Sequence, residues 1–172
     1  HRRGYPDLCN GEETPGELFA DYNAHHEATK AVLINQFGWE PQLCGARMPA
    51  GSTFADVRMG TDVEFGMSVY EPFGISQLEP LSSGGICVVT NVCGCVGYAK
   101  TAAEANLPAN ILVADFIGGL VGGPADPLAI GPAERDAVAD AECKRLAAEL
   151  MERLPTDEEQ MAALIDSGWE LA

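Results

Sequence analysis

Positive charge is scarce in this sequence: ten lysines and arginines stand against 26 aspartates and glutamates, a formal net charge of −16 over 172 residues. A surface of that sign repels phosphate chains and anionic lipid headgroups, so nucleic acid is excluded as an expected partner. Long hydrophobic runs are missing as well. No stretch reaches the roughly 18 consecutive apolar residues that a membrane span requires, and no secretory pattern of a charged then apolar segment opens the chain. The expectation is a protein with no membrane span, in the cytoplasm. Clustered metal ligands are also lacking. Of the cysteines at 9, 44, 87, 93, 95 and 143, only Cys93 and Cys95 are close-spaced, and Cys-x-Cys without a second pair or a histidine cluster does not make a zinc site. Buried free thiols are expected instead, in keeping with a reducing compartment. His25 and His26 are neighbours on a predicted helix, where side chains diverge by about 100°, so they do not converge on one ion. No metal is expected.

What is present is ordinary material for one domain. An apolar fraction of 47% with 21% charged residues suits a soluble chain long enough to bury a core. The reading is a single domain over 1–172. It opens on His1 in the basic stretch His1-Arg2-Arg3-Gly4, which fits a piece of a longer protein cut within an element.

Apolar spacing predicts an amphipathic helix over Glu17–Lys30 and a buried strand over Ala31–Gln36. A brief helix capped by Ser52 or Thr53 runs to Met59, and strands are expected over Asp62–Ser68, Ile86–Thr90 and Asn110–Asp115. Ala99–Ala105 is alanine-rich and reads as helical. An amphipathic helix covers Glu134–Arg153, with Ala139, Cys143, Leu146, Ala147, Leu150 and Leu154 along one face. A last helix follows Pro155, with Thr156 as N-cap and acids in its first turn. Gly118–Gly123 lacks the spacing and the lysine of a Walker phosphate loop. Four strands alternating with helices predict an α/β fold, a Rossmann-like parallel sheet with helices on both faces, in which ligands bind at the carboxyl ends of the strands.

The chain is organised around Tyr70-Glu71-Pro72-Phe73-Gly74-Ile75-Ser76-Gln77-Leu78-Glu79. The chain leaves a strand near Ser68, turns at Pro72 and Gly74, and is expected to enter a helix whose free N–H groups and positive end face the turn. Such a place suits an anion. Glu71 and Glu79 flank it, so both carboxylates are within reach of one ligand. Ser76-x-x-Glu79 also has the form of a capping box, while Pro80 removes a helical hydrogen bond and biases Glu79 away from helical geometry.

Glu71, seven residues and Glu79, with Phe73-Gly74 inside and Ser83-Gly84-Gly85 before the next strand, resemble the signature of retaining glycosyltransferases of the two-domain GT-B fold, including the glycogen and starch synthases. The resemblance covers about 30 residues. It implies one half of a GT-B fold, the donor-binding domain of an enzyme that transfers a sugar such as glucose from a nucleotide diphosphate sugar with retention of configuration. It further implies Glu71 as the catalytic-site residue on the donor sugar, Phe73, Gly74 and Ile75 holding sugar and distal phosphate, and Glu79 on the nucleotide ribose. Arg3 stands where a lysine would neutralise the diphosphate. Arg2, Arg47, Arg58 and Lys100 are further candidates for holding it. The donor is a substrate and no cofactor is implied. The acceptor domain is missing, so the fragment is expected to bind nucleotide without turnover. Two other classes stand beside this one: another sugar-phosphate enzyme of similar architecture, and a catalytically silent α/β interaction module in which Glu79 only caps a helix.

Overall fold

A computed structural model describes residues 13–33, 49–68, 71–104, 106–116 and 130–171. The chain divides into two compact units, His1–Val57 and Arg58–Ala172. In the first, helix α1 spans Glu13–His25, starting four residues and ending five residues earlier than its apolar spacing suggests. It stops because the chain folds back on itself: the Asn23 amide donates to the Ala31 carbonyl and accepts from the Ala31 N–H, each at 2.8 Å. The backbone of Ala31 is therefore taken by a side chain, Ala31–Leu33 form no strand, and Ile34–Gln36 lie outside the described residues. Helix α2, Phe54–Met59, begins as expected at Thr53. The Thr53 hydroxyl accepts from the Asp56 N–H at 3.3 Å while the Asp56 carboxylate accepts from the Thr53 N–H at 2.6 Å, a reciprocal cap. Hydrogen bonds donated to that carboxylate by the Thr53 N–H and then by the Thr53 hydroxyl hold the Asp56 carboxyl below its usual range.

The second unit is built on a parallel sheet of three strands in sequential order. These are β1 (Val63–Gly66), β2 (Ile86–Thr90) and β3 (Ile111–Ala114). All five residues of β2 are buried, as an unbroken Ile-Cys-Val-Val-Thr run requires of a central strand covered on both faces. Its alternation divides the core. Cys87 and Val89 join Leu81, Cys93, Val96, Ala99 and Ile111 on one face. Ile86 and Val88 join Leu112, Ala114, Leu146 and Leu164 on the other. The first face is covered by α3 (Gly94–Ala102), the second by α4 (Pro132–Arg153) and α5 (Glu158–Leu171). An α/β layer with a small parallel sheet and helices on both faces is the architecture expected, with three strands among the described residues in place of four.

Helix α5 lies across the amino ends of β2 and β3. Buried Asn110, just ahead of β3, donates from Nδ2 to the Leu164 carbonyl at 3.2 Å. The cap of this helix is Asp157, whose carboxylate accepts from the Gln160 N–H at 2.8 Å, and not Thr156, which bonds to the Gln160 side chain instead. Asp157 is one residue ahead of the first helical residue, the place from which a short acceptor reaches the third N–H.

The two edges of the sheet differ. Along β3 the outward carbonyls of Ile111 and Val113 accept from Arg153 at 2.9 Å and Arg145 at 2.8 Å, and the Asp115 N–H donates to Glu142 at 2.6 Å. Helix α4 thus closes this edge with its own side chains. Along β1 no hydrogen bond among the described residues reaches Val63 or Phe65 on the outward side, and Phe65 is 63% exposed. The inward face of α4 follows from the same arrangement. Glu142 and Leu146 are its buried residues, whereas Cys143, expected on that face, is exposed. A purely apolar reading turns the helix by one residue because it leaves no inward place for an acid.

Candidate functional site

Glu71 follows β1 and makes a parallel bridge to Cys93, the residue before α3. The Glu71 carbonyl accepts from the Gly94 N–H at 2.8 Å, so the loop is seated on the amino end of α3. Gly94 permits this. A Cβ there would lie 1.8 Å from the Pro72 carbonyl oxygen, which no side chain tolerates. Gly74 turns the loop back in the left-handed region, with φ +69°, a conformation glycine adopts at no steric cost.

The Glu71 carboxylate points into its own loop. One oxygen, Oε1, accepts from the Phe73 N–H at 3.0 Å and the Gly74 N–H at 3.1 Å. Two backbone donors converging beside a left-handed glycine form a concavity shaped for an anion, and here the anion is the loop's own side chain. Phe73 and Ile75 stand outward on either side of Gly74, each 74% exposed.

Glu79 is directed elsewhere. It pairs with Arg58, whose guanidinium also reaches Glu64 Oε1 at 3.1 Å and the Ser76 carbonyl at 3.3 Å. Burial alone would make Arg58 give up its proton more readily, but the hydrogen bonds to Glu79 and Glu64 outweigh it and hold the proton more firmly. Glu71 and Glu79 thus have different partners, and no hydrogen bond joins them.

The helix expected after the turn is instead a pair of 3₁₀ turns, Ile75–Gln77 and Glu79–Ser83. They are separated at Leu78 and stopped at Gly84, whose φ is +78°. Pro80 explains the break. It has no N–H to give to Ser76 and its ring opposes α geometry at Glu79, whereas the opening of a new turn accepts it readily. Neither turn has a side-chain cap, so the Ser76–Glu79 capping box does not form: the Glu79 carboxylate is engaged by Arg58 and the Ser76 hydroxyl donates to Gln77 at 3.3 Å. The helix end beside Glu71 belongs to α3. That helix starts at Gly94, five residues ahead of the expected Ala99, and its amino end lies at the carboxyl edge of the sheet.

Of the cations considered for a diphosphate, Arg2, Arg3 and Arg47 lie outside the described residues, and Arg58 is committed to Glu64 and Glu79. Lys100 sits in the last turn of α3, about 9 Å along the axis from its start at 1.5 Å per residue, away from the loop. The glycine-rich stretch 118–123 is also outside the described residues. No group of three metal-ligating side chains occurs among the described residues, and no described helix is long and apolar enough to cross a membrane.

Sequence reasoning missed a second polar cluster on this edge. Asn91, just after β2, donates from Nδ2 to Asp115 Oδ1 at 2.7 Å, and the Asp115 N–H donates to Glu142. Arg145 clasps Glu142 through Nε at 2.9 Å and Nη2 at 2.6 Å. The hydrogen bonds from Arg145, followed by that of the Asp115 N–H, hold the Glu142 carboxyl below its usual range against the opposing effect of burial. Its signal in the sequence is the ladder Glu142, Arg145, Glu149, Arg153, at the three- and four-residue spacings that bring side chains together on one flank of a helix.

Replacing Glu79 by alanine is expected to cost little. Arg58 keeps Glu64, and a half-exposed ion pair contributes about 0.5 kcal/mol. Urea unfolding of Glu79→Ala measures this, and a loss several times larger would mean that Glu79 anchors the 3₁₀ turns. Comparison of the chain with protein-family models, characterised proteins and solved structures finds no match.

Proposed function

We propose that this chain binds a phosphate-bearing ligand at Glu71–Ile75, and that the ligand is a nucleotide diphosphate sugar, the donor of a retaining glycosyl transfer. The observation that carries the first part is the convergence of the Phe73 and Gly74 N–H groups on one carboxylate oxygen, at the carboxyl edge of a parallel sheet where ligands of α/β proteins bind. The second part rests on the resemblance of Glu71 through Glu79 to the glycosyltransferase signature. A phosphate oxygen takes the place of Glu71 Oε1, the amino end of α3 adds its positive potential, and the released Glu71 carboxylate accepts hydroxyls of the sugar. Glu79 meets the ribose from beside Arg58, and Phe73 and Ile75 flank the bound group. Transfer itself belongs to a protein with an acceptor domain. Robust transfer by residues 1–172 alone would refute that division of labour.

The test is a titration with UDP, ADP and GDP, and with the matching nucleotide sugars, followed by the amide signals of Phe73 and Gly74. In the wild-type chain one nucleotide is expected to shift both. Glu71→Ala removes the internal competitor, so the bare nucleoside diphosphate is expected to bind several-fold more tightly while the added benefit of the sugar is lost. If no nucleotide moves either amide, in the wild type or in Glu71→Ala, the donor reading fails. A second reading then stands, a catalytically silent interaction module. The observation favouring it is that Glu79 is already neutralised by Arg58 while Phe73 and Ile75 are offered to solvent.

A further inference from the structure

Beneath the loop lies a pair of groups that donor binding does not use. Cys93 precedes the first residue of α3 and Cys95 is its second. Both are buried, and their sulfurs are 3.1 Å apart. A disulfide has sulfurs about 2.05 Å apart, so closure asks for a relative movement of about 1 Å. The loop rests on the same sulfur: a Cβ at Gly74 would lie 2.2 Å from Cys93 Sγ.

We propose that Cys93 and Cys95 are a dithiol–disulfide couple, a modification site oxidised by a small aliphatic disulfide of the glutathione class. The Cys93 thiolate attacks one sulfur of the reagent, forming a mixed disulfide and releasing one thiolate. The Cys95 thiolate then attacks Cys93 Sγ, closes the Cys93–Cys95 bond and releases the second thiolate. The two protons given up by the cysteines are taken by the two released thiolates, so two protein thiols are oxidised as one disulfide is reduced to two thiols. The order of attack follows from the hydrogen bond between them. The Cys95 thiol donates its hydrogen to the Cys93 sulfur, and burial followed by this hydrogen bond pushes the Cys95 thiol up to about 12, so Cys95 is the second of the two to react. Gly74 lies against both cysteines, since a Cβ there would meet Cys93 Sγ at 2.2 Å and Cys95 Cβ at 3.2 Å, so closure alters the surface on which the loop with the two convergent N–H groups rests. This couple stands on the sulfur geometry alone and does not depend on the nature of the ligand.

The experiment equilibrates the full chain in mixtures of oxidised and reduced glutathione, quenches with acid, alkylates and digests with trypsin. Cys87, Cys93 and Cys95 fall in one fragment, Met59–Lys100. In the folded chain this fragment is expected to be two hydrogens lighter and to take one alkyl group in place of three. In Cys87→Ser it takes none. Cys93→Ser and Cys95→Ser are expected to show no internal bond. In urea, at the same glutathione ratio, the fragment is expected to remain largely reduced, since nothing then holds the sulfurs together. Three alkyl groups on the folded chain, a persistent glutathione adduct on Cys93, or an equal disulfide fraction in urea would each overturn the proposal. The wild-type comparison with urea decides the matter even where a serine variant does not fold.

Discussion

Gly94→Ala is expected to be among the most destabilising single exchanges in the second unit. The added methyl would lie 1.8 Å from the Pro72 oxygen and 2.6 Å from its carbonyl carbon, and both are backbone atoms that no rotamer change can move aside. Either the Glu71–Gly74 loop lifts from α3 or the amino end of α3 unwinds, and the Gly94 N–H to Glu71 hydrogen bond is lost in both cases. Forced overpacking of this kind costs roughly 2–4 kcal/mol, which for a chain of this size lowers the melting temperature by about 10 °C. Thermal unfolding checks the size, and amide exchange at Phe73 and Gly74 checks the place. The control is Gly97→Ala on the same helix, where a Cβ meets nothing within 4 Å. There alanine is expected to raise stability by up to about 1 kcal/mol. An unchanged melting temperature for Gly94→Ala would mean that the loop does not rest on α3.

The second large effect is expected at Glu142. Glu142→Ala removes the acceptor of the Asp115 N–H and both hydrogen bonds from Arg145 to its carboxylate. Breaking a buried pair costs several kcal/mol, but Arg145 is 45% exposed and water recovers part of the loss, so about 2 kcal/mol is expected. The sign of the pH dependence follows from the depressed Glu142 carboxyl. A group whose pKa is lower folded than unfolded stabilises the fold fully above its unfolded value, about 4.3, and that contribution disappears as the pH falls through the folded value. Glu142→Gln is therefore expected to lose stability at neutral pH and to show a flatter acid limb than the wild type in unfolding curves taken from pH 7 downward. Parallel acid limbs would remove Glu142 from this role.

Strand β2 and its place at the centre were legible, because five consecutive buried residues announce a strand covered on both faces. The ends of β1 and β3 were overextended by one or two residues. The long helix was legible in extent but not in orientation: apolar spacing put Cys143 inward, while the charges at Glu142, Arg145 and Arg153 serve the open side of β3, a task invisible until the strand order is known. The stretch around Glu71 was legible as a turn at the end of a strand. Its continuation was not, since Ser76 and Glu79 satisfy a capping pattern that Pro80 and the long-range partner Arg58 override. The start of α3 was hidden for a related reason. The helix was expected from Ala99, yet Gly94 opens α3, and glycine stands there because another piece of backbone needs the space.

The unlike edges of the sheet limit how such backbones can pair. With α4 covering β3, the sheet as described is a monofunctional unit in the polymer chemist's sense, its unpaired backbone confined, among the described residues, to β1. Two such units joined edge to edge terminate each other. Clearing Arg145 and Arg153 from β3 would make the unit bifunctional, and the product of association would change from a closed pair to an open-ended chain.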